Sequence, residues 1–286
     1  MTEPPIPTPP EKSPEKKELF PRANEPPWQS PKYWVKEKDR YLRQLLIGDI
    51  EAATGRPLIV FFSQLDQQIN HTDPDDLSEI LLGVNAKAAD VLIQTPGGNV
   101  DATEKIISLL KHRLTEGYRV IVPSWAKSAG TIIALSSDKI VLGLNSELGP
   151  IDPQYTTPNG NIPCELIAAD DKQPYHVRQM ADLTVQRNRE LATGLLKNGM
   201  MKGKTDTQVE AVIARISTSN SYKSHGAVID HDEAKDKLGL SVEYLNHDDP
   251  IWRRLWLLYC MYDYDTKAKN LGKIFEGKVF SIARPK

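Results

Sequence analysis

Two short stretches of this chain carry the residue types that acyl transfer requires. Thr95-Pro96-Gly97-Gly98 follows the apolar run Asp90-Val91-Leu92-Ile93-Gln94, and Ser124-Trp125-Ala126-Lys127-Ser128-Ala129-Gly130-Thr131 follows Gly117-Tyr118-Arg119-Val120-Ile121-Val122-Pro123. Paired glycines let a backbone turn tightly and come close to a ligand, and the N-terminus of a following helix aims free N–H groups at negative charge. An oxyanion hole is built this way, and losing one of its donors costs a factor of about 10²–10³ in rate. Small residues after Ser128 leave its hydroxyl open to a substrate, and a helix start there adds a dipole that helps stabilise a developing oxyanion. Singly, each stretch has a plainer reading: a strand-to-helix turn that needs glycine, and an N-cap serine in a close helix–sheet contact.

These motifs need a scaffold that holds two strand ends side by side. Residues 33–54 read as a helix with Leu42, Leu45, Leu46 and Ile50 on one stripe, Pro57 to Phe62 as a buried strand, and Asp73-Pro74 as the opening of a second helix. The strand at Asp90–Gln94 is followed by a helix carrying Ile106, Leu110 and Leu114. The strand ending at Pro123 is followed by a short apolar helix from Ser128 to Leu135, then by a strand at Lys139–Leu142. Strands alternating with helices at this spacing predict a largely parallel sheet covered on both faces, with ligands at its carboxyl ends. Residues 145–163, rich in Gly, Pro and Asn, read as loop. Helices are expected over about 175–196, 205–216, 230–238 and 250–262, and a strand at Val242–Leu245.

Together the two motifs resemble the Clp/crotonase superfamily, and most closely its serine dehydrogenase proteinases, relatives of the Clp protease and of signal peptide peptidase A. The likeness covers roughly residues 58–245 and is strongest from Val91 through Asp138 to Leu148-Gly149-Pro150-Ile151-Asp152-Pro153-Gln154. It implies the Clp/crotonase α/β fold of repeated βα units, a serine-type peptidase with Ser128 as nucleophile, an oxyanion hole at the backbones of Gly98 and Ala129, and a homo-oligomer.

A serine hydroxyl needs an adjacent base. The Clp protease carries its histidine in an Ile-His-Gln-Pro stretch, where this chain has Ile151-Asp152-Pro153-Gln154, so that histidine is absent. Relatives of signal peptide peptidase A use a lysine, which points to Lys172 in Ala168-Ala169-Asp170-Asp171-Lys172. Such a lysine works only if burial or cationic neighbours lower its pKa, and the two aspartates beside it act the other way. His225, in Ser224-His225-Gly226, has the right intrinsic pKa and precedes a segment resembling the family's Glu-Ala…Gly-Leu element. Lys127 adjoins Ser128, but neighbours on a helix point apart. His71, His112, His176, His231 and His247 show no metal-ligand spacing.

Composition narrows the class. The 286 residues, 40% hydrophobic and 26% charged with a net charge of −2, read as a soluble globular protein with no global pull toward nucleic acid. No apolar stretch is long enough for a signal or a membrane span, so a cytoplasmic protein is expected, without cofactor or metal. Cys164 and Cys260 read as buried free thiols. Ten of the 21 prolines fall in residues 1–32, which read as a disordered arm; residues 33–264 form the Clp/crotonase-like domain, and 265–286, with six Lys or Arg against two acids, a basic tail. A peptide or protein is the expected substrate. A non-catalytic scaffold and a crotonase-like acyl-CoA enzyme are the competing readings, the first favoured by the missing histidine, the second lacking a marked carboxylate acid/base.

Overall fold

Runs such as Leu58-Ile59-Val60-Phe61-Phe62 have no polar alternation, so a strand made from them must be covered on both faces. The computed structural model, which describes residues 30–158 and 160–286, meets that demand with a seven-stranded sheet between two helical layers. In chain order, α1 (Pro31–Lys36) and α2 (Lys38–Thr54) lead into β1 (Leu58–Ser63), α3 (Asp73–Leu82), β2 (Ala89–Gln94), α4 (Val100–Arg113) and β3 (Tyr118–Val122). There follow β4 (Trp125–Ala126), α5 (Ala129–Leu135), β5 (Lys139–Leu142), β6 (Glu147–Leu148) and the hairpin β7 (Gln154–Thr157) and β8 (Gly160–Pro163). Helices α6 (Cys164–Ala169), α7 (Tyr175–Asn198), α8 (Asp206–Ile216) and α9 (Ser219–Tyr222) precede β9 (Val242–Tyr244), α10 (Pro250–Ala268), β10 (Leu271–Glu276) and β11 (Ser281–Pro285). A π-helical turn at Glu233–Lys237 stands where a short helix was expected.

The sheet order is β11-β10-β1-β2-β3-β5-β9, with β1, β2, β3, β5 and β9 parallel and the β10–β11 hairpin antiparallel beside β1. Alternate side chains of each central strand go to opposite layers. Ile59, Phe61, Val91, Ile93, Val120 and Val122 share one core with residues of α3, α4, α5 and α8. Leu58, Val60, Phe62, Leu92, Ile121 and Val141 pack on the other side with α2 and α10, including Trp252 and Tyr262. Each such side chain contributes about 1.5–3 kcal/mol by leaving water. Among the described residues no helix is long and apolar enough to cross a membrane.

Four expectations are corrected. Residues 145–163 are not all loop: β6 pairs with β4, and Gln154–Thr157 pairs with Gly160–Pro163 as a hairpin. That hairpin is mostly exposed and polar, so no hydrophobic period announces it. Residues 265–286 are not a tail. They complete α10 and supply β10 and β11, where Phe275 stacks on Phe61 with ring centroids 4.5 Å apart. Their cations are spent on acids of the body, Lys273 on Asp73, Arg284 on Asp76 and Lys286 on Asp66, so a charge count that suggested solvation was counting ion pairs. Of the thiols, Cys164 is buried but Cys260, on the outer side of α10, is exposed. The expected arm lies outside the described residues up to residue 29, while Pro31 and Lys32 already belong to α1.

Candidate active site

Ser128 caps the N-terminus of α5 with φ +52° and ψ −118°, a region that costs a residue with a Cβ about 1–3 kcal/mol and persists only where the surroundings impose it. The surroundings here are specific. Lys127 N donates to Thr95 O (3.0 Å), Thr95 N to Trp125 O (3.3 Å) and Gly130 N to Lys127 O (2.7 Å), so the serine turn is stitched to the end of β2 on one side and to its own helix on the other. One turn into α5, the Thr131 hydroxyl has its single proton within reach of both Ala126 O (2.8 Å) and Gly149 O (2.9 Å). A Cβ on Gly130 would lie 2.6 Å from Thr95 Cγ2, which is why this position takes no side chain. Ser128 itself is partly exposed, and its hydroxyl has no hydrogen-bond partner among the described residues.

The glycine turn faces this serine. At Gly97 (φ +93°) a Cβ would come within 2.7 Å of Ser128 Cβ and 2.8 Å of Ala129 N. At Gly98 (φ +145°) it would come within 2.5 Å of both Ile69 N and Ile69 O. Ile69 N donates to Gly97 O (2.7 Å), Ile69 O accepts from Asn99 N (2.9 Å), and Asn99 then caps α4 by accepting from Ala102 N (2.8 Å). With those bonds assigned, the Gly98 and Ala129 amides have no acceptor among the described residues. Two N–H groups without an acceptor among the described residues thus lie on the glycine and serine turns, which meet at Gly97 and Ser128.

His225 Nδ1 lies 2.8 Å from Asp152 Oδ1, with the carboxylate buried and the ring part-exposed. Since a carboxylate can only accept, the proton of this bond sits on Nδ1, and Nε2 of the neutral ring is left as a base. Both partners come from segments tied to the residues around Ser128. Gly149, three residues before Asp152, exchanges two hydrogen bonds with the Thr131 hydroxyl, at 2.9 and 3.0 Å. Ala227 O, two residues after His225, accepts from Lys127 Nζ at 3.1 Å, and the same ammonium donates to Leu148 O (3.1 Å) and pairs with Glu147 (3.1 Å). Leu148 and Ile229 exchange backbone bonds at 2.9 and 3.1 Å, which locks the two segments to each other. Cys164 lies near Asp152, and burial, followed by that carboxylate's charge, pushes its thiol up, so it stays protonated and is no rival nucleophile.

The structure therefore brings together the turns bearing Gly98, Ser128 and Ala129, and it gives His225 a buried carboxylate partner. It places Lys172 in the exposed turn between α6 and α7, where its own amide bonds to Asp170 Oδ1 (3.0 Å) and its ammonium has no partner among the described residues. Lys127 is occupied in holding carbonyls. Asp152 is the residue that sequence reasoning passed over. The signal was present: a carboxylate stands where relatives carry histidine, and a histidine stands on a second segment that also resembles the family.

A strained serine beside a glycine turn, both at carboxyl ends of a parallel sheet, defines the class as an α/β protein of the Clp type. The chain belongs to the ClpP-like SDH-type serine proteinases, whose family model matches residues 68–270. It is 35% identical over 178 residues to the uncharacterized protein MJ0137 of Methanocaldococcus jannaschii, covering 59% of each chain, so it spans about three fifths of that relative's length. A second protein of that organism, the uncharacterized MJ1495, is 38% identical over 84 residues, 28% of each chain. Among solved structures, a mutant of the membrane-bound stomatin-specific protease 1510-N aligns at 19% identity and TM-score 0.46, over 68% of this chain and 84% of that one. ClpP1 from Listeria monocytogenes aligns at 18% identity and TM-score 0.42, over 73% and 99%.

Proposed function

We propose that this chain is a serine peptidase in which Ser128, His225 and Asp152 act as nucleophile, base and orienting carboxylate. The Ser128 Oγ attacks the carbonyl carbon of a peptide bond as His225 Nε2 takes its proton, and the tetrahedral oxyanion accepts from the Gly98 and Ala129 amides. The imidazolium returns that proton to the leaving amine, leaving an ester on Ser128. Water then attacks the ester with His225 again as base, releasing the acid and restoring the hydroxyl. Asp152 holds the tautomer in which Nε2 is free. The observation that carries this reading is the strained backbone of Ser128, held at φ +52° against a glycine turn with its hydroxyl unbonded, which is a costly arrangement for a serine that only packs.

The test is covalent labelling of Ser128 with a fluorophosphonate. Wild-type protein should be labelled once, at Ser128, and Ser128→Ala should lose the label at an unchanged unfolding midpoint. Labelling elsewhere, or none in folded protein, would sink the reading. A homo-oligomer fits the exposed apolar residues Tyr175, Met180 and Leu183 along α7, at 70%, 64% and 61% exposure, which a second copy of the chain would cover. Trp252, by contrast, is buried within the chain.

A further inference from the structure

We infer that Lys273 of β10 is a positioning residue for the Gly97-Gly98 turn, acting through the loop that joins β1 to α3; this rests on reading that turn as half of an oxyanion hole. The connection is a single peptide plane. Lys273 Nζ donates to Gln68 O at 2.7 Å, and the N–H of the same peptide unit, that of Ile69, donates to Gly97 O at 2.7 Å. Because the unit is planar and stiff, losing the bond at one end frees it to swing at the other. The swing reaches the site at once, since Gly98 has no clearance: an atom in the Cβ position would sit 2.5 Å from Ile69 N and O and 3.0 Å from Gln68 Cβ.

The ammonium is well built for such a task. Its other two bonds go to Asp73 Oδ1 and Oδ2, at 2.8 and 2.7 Å, so all three protons are committed and the group has one orientation. Both side chains are almost fully buried, Lys273 at 4% and Asp73 at 1% exposure. Asp73 in turn accepts from Asn70 N (2.9 Å), and Gln64 N donates to Gly272 O (2.9 Å), so the loop is held against β10 along its length. A buried ion pair is commonly no more stabilising than apolar residues of the same size, which leaves the pair's value in fixing a geometry. Strand β10 also lies beyond the segment, residues 68–270, that matches the family, so this support comes from outside the shared part of the chain.

The experiment compares the full-length chain with Lys273→Met/Asp73→Asn, which removes both charges together, and with Arg284→Met/Asp76→Asn, which severs a neighbouring tie between β11 and α3 away from the loop. The limiting rate and the half-saturating concentration of fluorophosphonate labelling are read separately, and hydrogen exchange at the Ile69 and Asn99 amides is read in parallel. Removing the Lys273 pair should slow the limiting rate about 10- to 100-fold, as expected for donors shifted by a fraction of an ångström, with half-saturation unchanged, while the Arg284 pair labels at the wild-type rate. Exchange at Ile69 and Asn99 should rise at least tenfold relative to amides of β3. An unchanged limiting rate in folded Lys273→Met/Asp73→Asn, or an equal loss in both double variants, overturns the inference. If the wild type takes no label, the oxyanion reading fails, and exchange alone decides whether Lys273 holds the turn, unaltered exchange counting against it. Should the Lys273 double variant not fold, Lys273→Gln is judged by the same thresholds.

Discussion

Asp152 and His225, brought within 2.8 Å although 73 positions separate them, join two segments that are each tied to the serine turn. If Asp152 sets the tautomer of His225, Asp152→Asn presents an amide that donates where the carboxylate accepts, and the ring turns its proton toward Ser128. A fall in kcat of about 10²–10⁴ with KM changed less than threefold is expected for hydrolysis of a peptide or activated ester. Equal rates for the two proteins would remove the pair from the mechanism.

Lys172 provides the contrast. Its ammonium is exposed and unpartnered among the described residues, so Lys172→Ala should leave kcat within a factor of about two and stability within about 0.5 kcal/mol, as is usual for such surface changes. A thousandfold loss of activity at wild-type stability would restore a serine–lysine mechanism.

Gly97→Ala tests the contact between the two turns. The added methyl would meet Ser128 Cβ and Lys127 O at 2.7 Å from a backbone at φ +93°, so the turns must part. We expect a stability loss of about 1–3 kcal/mol from the backbone conformation alone, and labelling of Ser128 slowed at least 100-fold. Calorimetry and labelling kinetics on the same sample check both.

Arg43 tests the opposite layer. It donates from Nε to Glu276 Oε2 at 2.7 Å and pairs with Asp265, while the Tyr262 hydroxyl donates to Glu276 at 2.5 Å, all of them buried. Arg43→Met strands two carboxylates in the core and should cost about 3–5 kcal/mol, read as a drop in the urea midpoint. A midpoint shift of less than 1 kcal/mol equivalent would mean that water reaches these acids.

Most of the scaffold was legible because its signals are local. Unbroken apolar runs marked β1, β2, β3 and β5, Pro74 marked the start of α3, and Thr205 with Gln208 forms the capping box that opens α8. Ser128 and the glycine turn were legible for the same reason, as motifs at strand ends. What escaped depends on distance. That Asp152 meets His225 follows from the bridge between Leu148 and Ile229, and no spacing along the chain encodes it. The β10–β11 hairpin was hidden by its charges, since Lys273, Arg284 and Lys286 read as solvated until their acids on other segments are seen.

The sheet order has a consequence for synthesis. β1 is flanked by β10, which leaves the ribosome only after β2, β3, β5 and β9. One edge of β1 therefore stays unpaired until β10 has been made, exposed to wrong partners. The loop that braces the glycine turn gains its lysine only when residue 273 emerges. A nascent chain that already contains Ser128 therefore lacks this brace until β10 docks against β1.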